Sequence, residues 1–334
     1  MIQVTTASLQ FDDWQQAMAR SISDPARLLK YLQLPDSLLP SAEEATKLFG
    51  LKVTHAYLDR IKVGDPADPL LRQVLPLGAE LDQTDDYTPD PVGDHAAIRT
   101  PGLLQKYNGR ALLLATGACG IHCRYCFRRH FDYASSNPSK EGWQEAITTL
   151  SQDSSIKEVI LSGGDPLSLA DNKLQHLVSM LEDIPHLKRL RIHTRLPVVL
   201  PERVTTGLCD TLASSSLQVI TVLHINHANE IDSEVEDSCA RLRQAGSWLL
   251  NQSVLLAGVN DNHESLCALS ERLSDCDIQP YYLHQLDKVD GAAHFAVHDD
   301  KARQLVEEMR ARLPGYLVPK LVREHAGAPS KSPL

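Results

Sequence analysis

The 334-residue sequence predicts an α/β chain in which six parallel strand–helix units build either an incomplete (β/α) barrel or an open, doubly wound sheet. Three observations carry the prediction. From about residue 110 onward, short apolar runs alternate with amphipathic stretches. The runs are near-continuous in Val, Ile and Leu, the pattern of strands buried on both faces. Polar residues able to do chemistry gather at the ends of these runs, where parallel strands place functional groups.

The runs span 111–116, 156–161, 187–192, 217–223, 248–256 and 278–283. Helical stretches follow at 141–152, 171–183, 204–214, 231–245, 263–274 and 299–312. A cysteine cluster follows the first run, and Gly163-Gly164-Asp165-Pro166 the second. His193 and Arg195 follow the third, His224 and Asn226 the fourth. Gln252 and Ser253 lie within the fifth, and His284 and Asp287 follow the sixth. Upstream, residues 12–60 read as helical, with Asp12 and Ser41 as N-caps. Between Gly64 and Gly102 the chain carries Pro66, Pro69, Pro76, Pro89, Pro91 and Pro101 among many aspartates. This composition predicts an ordered connector with little regular structure.

Charge and composition narrow the function classes. Lys and Arg number 33 against 43 Asp and Glu, a formal charge of −10. That balance argues against general nucleic-acid binding, which needs clustered cations. The apolar fraction of 43% and charged fraction of 23% are those of a soluble globular protein. No apolar run approaches the roughly 20 residues of a membrane span. The first residues show neither an early basic region nor a continuous apolar stretch, so a cytoplasmic location is expected. Seven cysteines, an odd number in a chain without a signal, speak against a disulfide framework. Cys209, Cys239, Cys267 and Cys276 are scattered and read as small buried hydrophobes.

The remaining three are not scattered. Residues 119–126 read Cys-Gly-Ile-His-Cys-Arg-Tyr-Cys, the spacing C-x3-C-x2-C. Thiolates of Cys119, Cys123 and Cys126 can hold three irons of a [4Fe–4S] cluster and leave the fourth iron open to a small molecule. The other reading is a structural zinc site with His122 or His130 as the fourth ligand. With Tyr125 before the last cysteine, this motif resembles that of the radical S-adenosylmethionine enzymes. The resemblance implies a [4Fe–4S] cluster whose open iron chelates S-adenosylmethionine and cleaves it, with one electron, to methionine and a 5′-deoxyadenosyl radical. Gly163, Gly164 and Asp165 are similar to the family's strand-end motif for the methionine amino group.

Longer segments are similar to lysine 2,3-aminomutases. They are Asp68-Pro69-Leu70-Leu71-Arg72-Gln73-Val74, Pro101-Gly102-Leu103, Pro197-Val198-Val199-Leu200-Pro201, Asn251-Gln252-Ser253-Val254-Leu255-Leu256, and Gly291 with His294-Phe295. The likeness implies a partial (β/α)6 radical S-adenosylmethionine barrel over 105–312. It also implies a helical region over 1–63, a connector over 64–104 packed on the core, and a C-terminal segment over 313–334. That last segment would carry Lys331 as the Schiff-base lysine of pyridoxal 5′-phosphate, with Arg110 near the phosphate. Arg128 matches a carboxylate-binding arginine, and Asp287 an acid that holds the substrate's ε-ammonium. Glu324 stands where the family has a second acid, usually Asp. His224 and Gln252 match positions around S-adenosylmethionine.

The activity implied is an isomerase converting L-α-lysine to β-lysine, fed by an electron donor such as flavodoxin or ferredoxin. The nearest resemblance is to the shorter bacterial enzymes that serve β-lysylation of elongation factor P through a lysyl-tRNA-synthetase-like ligase. Long aminomutases continue past the cofactor lysine into a cysteine-bearing segment that helps bind zinc between subunits; this sequence lacks it, so that zinc site is not expected. Two rivals stay open on sequence. One is a radical aminomutase acting on glutamate or ornithine, and the other a non-catalytic metal-cluster module.

Overall fold

A computed structural model describes residues 14–133 and 142–334. Its centre is one ten-stranded sheet whose strands follow in chain order, β1 to β10. These are β1 Ile98–Thr100, β2 Leu103–Tyr107, β3 Arg110–Thr116, β4 Glu158–Gly163, β5 Arg189–Thr194, β6 Gln218–His224, β7 Trp248–Val254, β8 Gln279–His284, β9 Lys320–Arg323 and β10 Ser332–Pro333. Strands β3 to β9 run parallel. Antiparallel pairs β1–β2, β2–β3 and β9–β10 finish the two sides.

The six strands expected from apolar runs are β3 to β8. Four short ones were not legible. β1 ends the proline-rich connector, and β10 contains a proline. With two to five residues each, all four are too short to display an alternation. β4 starts two residues later than its apolar run and carries Gly163 as its last residue.

Helices cross between the parallel strands at Gly142–Gln152, Asp171–Glu182, Thr206–Ala213, Ser233–Gln244, His263–Asp275 and Asp299–Arg310. Side chains of Thr205, Asp232 and Asn262 accept backbone N–H bonds at three of their starts. Each helix buries an apolar stripe; in Asp171–Glu182 it is Leu174, Leu177, Val178 and Leu181. Short helices Trp14–Ala19, Pro25–Tyr31, Leu39–Leu48 and His55–Leu58 form the N-terminal region. Ser41 is not the cap expected of it. The helix begins at Leu39, because Pro40 lacks an N–H and suits a first turn, and the Ser41 hydroxyl donates to the Leu38 carbonyl at 3.0 Å. Asp12 lies outside the described residues.

The sheet curls until its two sides meet. Lys106 on β2 and Glu324, one residue past β9, form an ion pair of 3.1 Å. Among the described residues β1 and β10 are not paired, so the barrel is incomplete. Cys239 and Cys276 are buried in the core, as expected; Cys209 and Cys267 are only partly buried. No helix among the described residues is long and apolar enough to cross a membrane.

Candidate active site

A barrel interior is ordinarily filled by side chains. Here it encloses a cavity of about 550 Å³. Inward-facing positions two apart line it, among them Arg110 and Leu112, Ile160 and Ser162, Arg191 and His193, and Tyr282 and His284. Every site residue expected from sequence borders this one space: Cys119, Cys123, Cys126, Arg110, Arg128, Gly163, Gly164, Asp165, His224, Gln252, Asp287, Glu324 and Lys331.

The cysteine loop leaves the C-terminal end of β3 and packs on the turn after β4. That packing explains the glycine pair. Gly163 has φ +112°, a region L side chains rarely adopt, and a Cβ on Gly164 would lie 2.3 Å from the Ala118 carbonyl oxygen. Asp165 follows, and both its oxygens are committed. They accept the backbone N–H groups of Leu167, Arg195 and Leu196 and the Thr194 hydroxyl. Asp165 therefore ties the turn after β4 to the end of β5. The Tyr133 hydroxyl closes the other side by donating to the Gly163 carbonyl at 2.6 Å.

None of the three cysteines is in a disulfide. Burial first, then neighbouring sulfurs, push the Cys119 thiol well up and the Cys126 thiol to about 11. Ionising such a set needs a compensating cation, which an iron cluster supplies. A zinc ion would need a fourth ligand. One nitrogen of each candidate histidine is engaged elsewhere: His122 Nδ1 meets the Gly50 carbonyl at 2.8 Å and His130 Nε2 the Asp290 carbonyl at 3.2 Å. Among the described residues no three His, Cys, Asp or Glu side chains converge to hold a single metal ion. The donor set fits a cluster with an open corner.

Around the loop lies a buried polar network. The Tyr125 hydroxyl lies 3.3 Å from His224 Nε2 and accepts from Asn226 Nδ2 at 2.7 Å. Burial, then the charge of Arg195, brings His224 down to about 3, so its imidazole is neutral. Gln252 Nε2 approaches His193 Nδ1 at 3.5 Å.

The opposite part of the cavity is a chain of charges. Arg128 Nε donates to Asp94 at 2.6 Å, and its Nη1 to the Ser162 hydroxyl at 3.0 Å. Lys106 pairs with Asp94 at 2.6 Å and with Glu324, which also accepts from Lys331. Burial alone would raise the Glu324 carboxyl, but Lys331 and Lys106 outweigh it and hold it at about 2. Asp287 is the reverse case: burial, then repulsion from Glu324, pushes it up to about 7. Arg110 lies with its guanidinium carbon 4.5 Å from the Tyr107 ring. His193 Nε2 and His284 Nε2 are buried with no hydrogen-bond partner among the described residues. Orphaned atoms like these, beside an amine and an arginine, fit a ring-bearing anionic cofactor such as pyridoxal phosphate.

Sequence reasoning missed Asp94, Lys106, Glu230 and the contact of Arg195 with the cysteine loop. Asp94 lay in the connector among other aspartates, and Lys106 on a strand too short to read. Only the fold brings them to the cavity.

Comparison with known proteins agrees with this geometry. Residues 113–269 match the radical SAM superfamily. The L-lysine 2,3-aminomutase of Escherichia coli is 48% identical over 332 residues, covering 99% of this chain and 97% of that protein. The L-lysine 2,3-aminomutase of Haemophilus influenzae is 47% identical, covering 96% of this chain and 95% of the other. The L-lysine 2,3-aminomutase of Clostridium subterminale is 34% identical, covering 97% of this chain and 78% of the other. With this likeness along nearly its whole length, the chain belongs to the lysine 2,3-aminomutase family of radical S-adenosylmethionine enzymes and is an isomerase.

Proposed function

We propose that the chain is a pyridoxal-phosphate-dependent lysine 2,3-aminomutase that converts L-α-lysine to β-lysine for the β-lysylation of elongation factor P. One observation carries the reading: a single cavity is lined by the three-thiol loop and by the charged set Arg128, Asp94, Lys106, Asp287, Glu324 and Lys331. Cys119, Cys123 and Cys126 would hold the cluster. His224 and Gln252 would flank S-adenosylmethionine, and the glycine turn would keep its backbone open to the methionine end. Asp165 acts through that turn, since its oxygens are occupied.

When bound, these groups supply a one-electron route to hydrogen abstraction and a carbonyl that carries nitrogen during a 1,2-shift. The protein's own residues choose and hold the substrate. Lys331 offers the amine, and Arg110 would receive the phosphate. Arg128 would take the substrate carboxylate, sharing its guanidinium with Asp94. Glu324 and Asp287 would face the substrate's distal ammonium, whereas a second substrate carboxylate, as in glutamate, would be repelled by them. Burial of the reacting carbon excludes water and fixes its approach.

The test is mass spectrometry of anaerobically reconstituted, reduced protein with isotopically labelled lysine, ornithine and glutamate. β-Lysine alone is the expected product. Release of free 5′-deoxyadenosine with untouched lysine, or turnover of another member of the panel, overturns the assignment. Loss of pyridoxal absorption in Lys331→Ala checks the cofactor. An elongation factor P that gains mass only when this protein and a lysyl-tRNA-synthetase-like ligase are both present checks the destination. A flavodoxin or ferredoxin would deliver the electron.

A further inference from the structure

We infer that Arg195 is a positioning residue of the thiol loop whose guanidinium, donating to the Cys123 sulfur, sets the potential at which the cluster accepts its electron. The inference rests on the cluster reading above. Arg195 Nη1 donates to Cys123 Sγ at 2.8 Å. Its Nη2 donates to Glu230 at 2.8 Å and to Gln73 Oε1 at 2.6 Å. Its own backbone N–H is held by Asp165 at 2.7 Å. A fourth donor, Nε, is buried with no partner among the described residues and stays uncommitted.

An arginine–carboxylate pair inside a protein is often only structural glue. The arrangement around this one says more. Glu230 is 0% exposed. It accepts from Asn226 N at 2.9 Å, His227 N at 3.1 Å and Gln73 Nε2 at 3.1 Å, besides Arg195. Gln73 Oε1 accepts from Asn226 Nδ2 at 3.0 Å, so the amide cannot flip without losing both partners. Side chains from distant segments thus fix one guanidinium in one pose, with its free fork on a ligand sulfur. Hydrogen bonds to cluster sulfurs and nearby net charge are what set iron–sulfur potentials. A positive donor favours the reduced, more negative state, so Arg195 raises the potential. Glu230 opposes it and trims the effect.

The two residues therefore predict shifts of opposite sign. Full-length wild-type protein, Arg195→Gln, Arg195→Lys and Glu230→Gln are reconstituted anaerobically. Iron and sulfide per chain are counted, and the midpoint is read by a redox titration followed by electron paramagnetic resonance. Arg195→Gln is expected to lower the reduced-to-oxidised ratio on the order of tenfold at a fixed poise, about 59 mV for a one-electron couple. Arg195→Lys should recover much of that shift, and Glu230→Gln should move the midpoint positive. Full clusters at unshifted potentials in Arg195→Gln and Glu230→Gln overturn the inference. If Arg195→Gln binds no iron, an unmoved midpoint in Glu230→Gln overturns it alone. Wild-type protein without iron or sulfide instead defeats the cluster reading on which it stands.

Discussion

Asp287 shows how much one buried carboxyl can govern. Its group is raised to about 7 by burial and by Glu324. On the proposed role of Asp287 its ionised form would hold the substrate ammonium, so lysine affinity should rise as pH climbs through about 7 and level above it. Isothermal titration between pH 6 and 8 should show this slope. In Asp287→Asn it should vanish, with affinity about tenfold lower or worse, the cost of losing a charged hydrogen bond. Gly164→Ala tests a second single residue. Its Cβ would collide with the backbone of the cysteine loop at Ala118, so one of the two turns must shift. Overpacking of this kind costs about 1–3 kcal/mol. Reconstituted protein should then carry less iron per chain than wild type while its far-ultraviolet circular dichroism stays the same. Individual residues were legible in proportion to how local their signal was. The cysteines and the glycine pair sit in motifs of a few residues, whereas Lys331 is proposed from its position in the family resemblance. Asp94 and Glu230 carry no such signature; their meaning comes from partners in other parts of the chain, Lys106 and Arg128 for the first and Arg195 and Gln73 for the second.

Among elements, the turn after β4 does the most to organise the site. Asp165 binds backbone donors on both sides of it and the end of β5. Asp165→Ala would leave buried N–H groups of Leu167 and Arg195 unpaired, at about 1 kcal/mol or more each, while the Leu196 N–H keeps the Thr194 hydroxyl. A melting temperature several degrees lower, together with weaker retention of iron, is the expected result. The parallel strands and their helices were read correctly because burial on both faces writes a continuous apolar run of five or more residues, and the helices write a stripe. The flanking hairpins escaped because two to five residues hold too few alternations. What they contribute is disproportionate to their length: β2 supplies Lys106, and the β9–β10 hairpin places Glu324 opposite Lys331.

For the molecule as a whole, the sheet holds the thiol loop and Lys331 at separate places around one cavity. The thiol loop rests on β3, β4 and β5, while the amine is delivered by the last hairpin. Deleting residues 329–334 should therefore remove pyridoxal binding and leave iron content close to wild type. Absorbance near the cofactor's band and an iron assay on the same sample check this, and loss of both would mean the two places are not separable. The barrel also has a seam that a closed one lacks. Backbone ladders hold every strand to its neighbour, whereas β2 meets Glu324 across the gap through side chains, by the ion pair of Lys106 and a hydrogen bond of Tyr107. On the proposed lysine specificity, a substrate ammonium would compete with Lys106 for the Glu324 carboxylate, so the guest would carry the same chemistry as the contact it displaces.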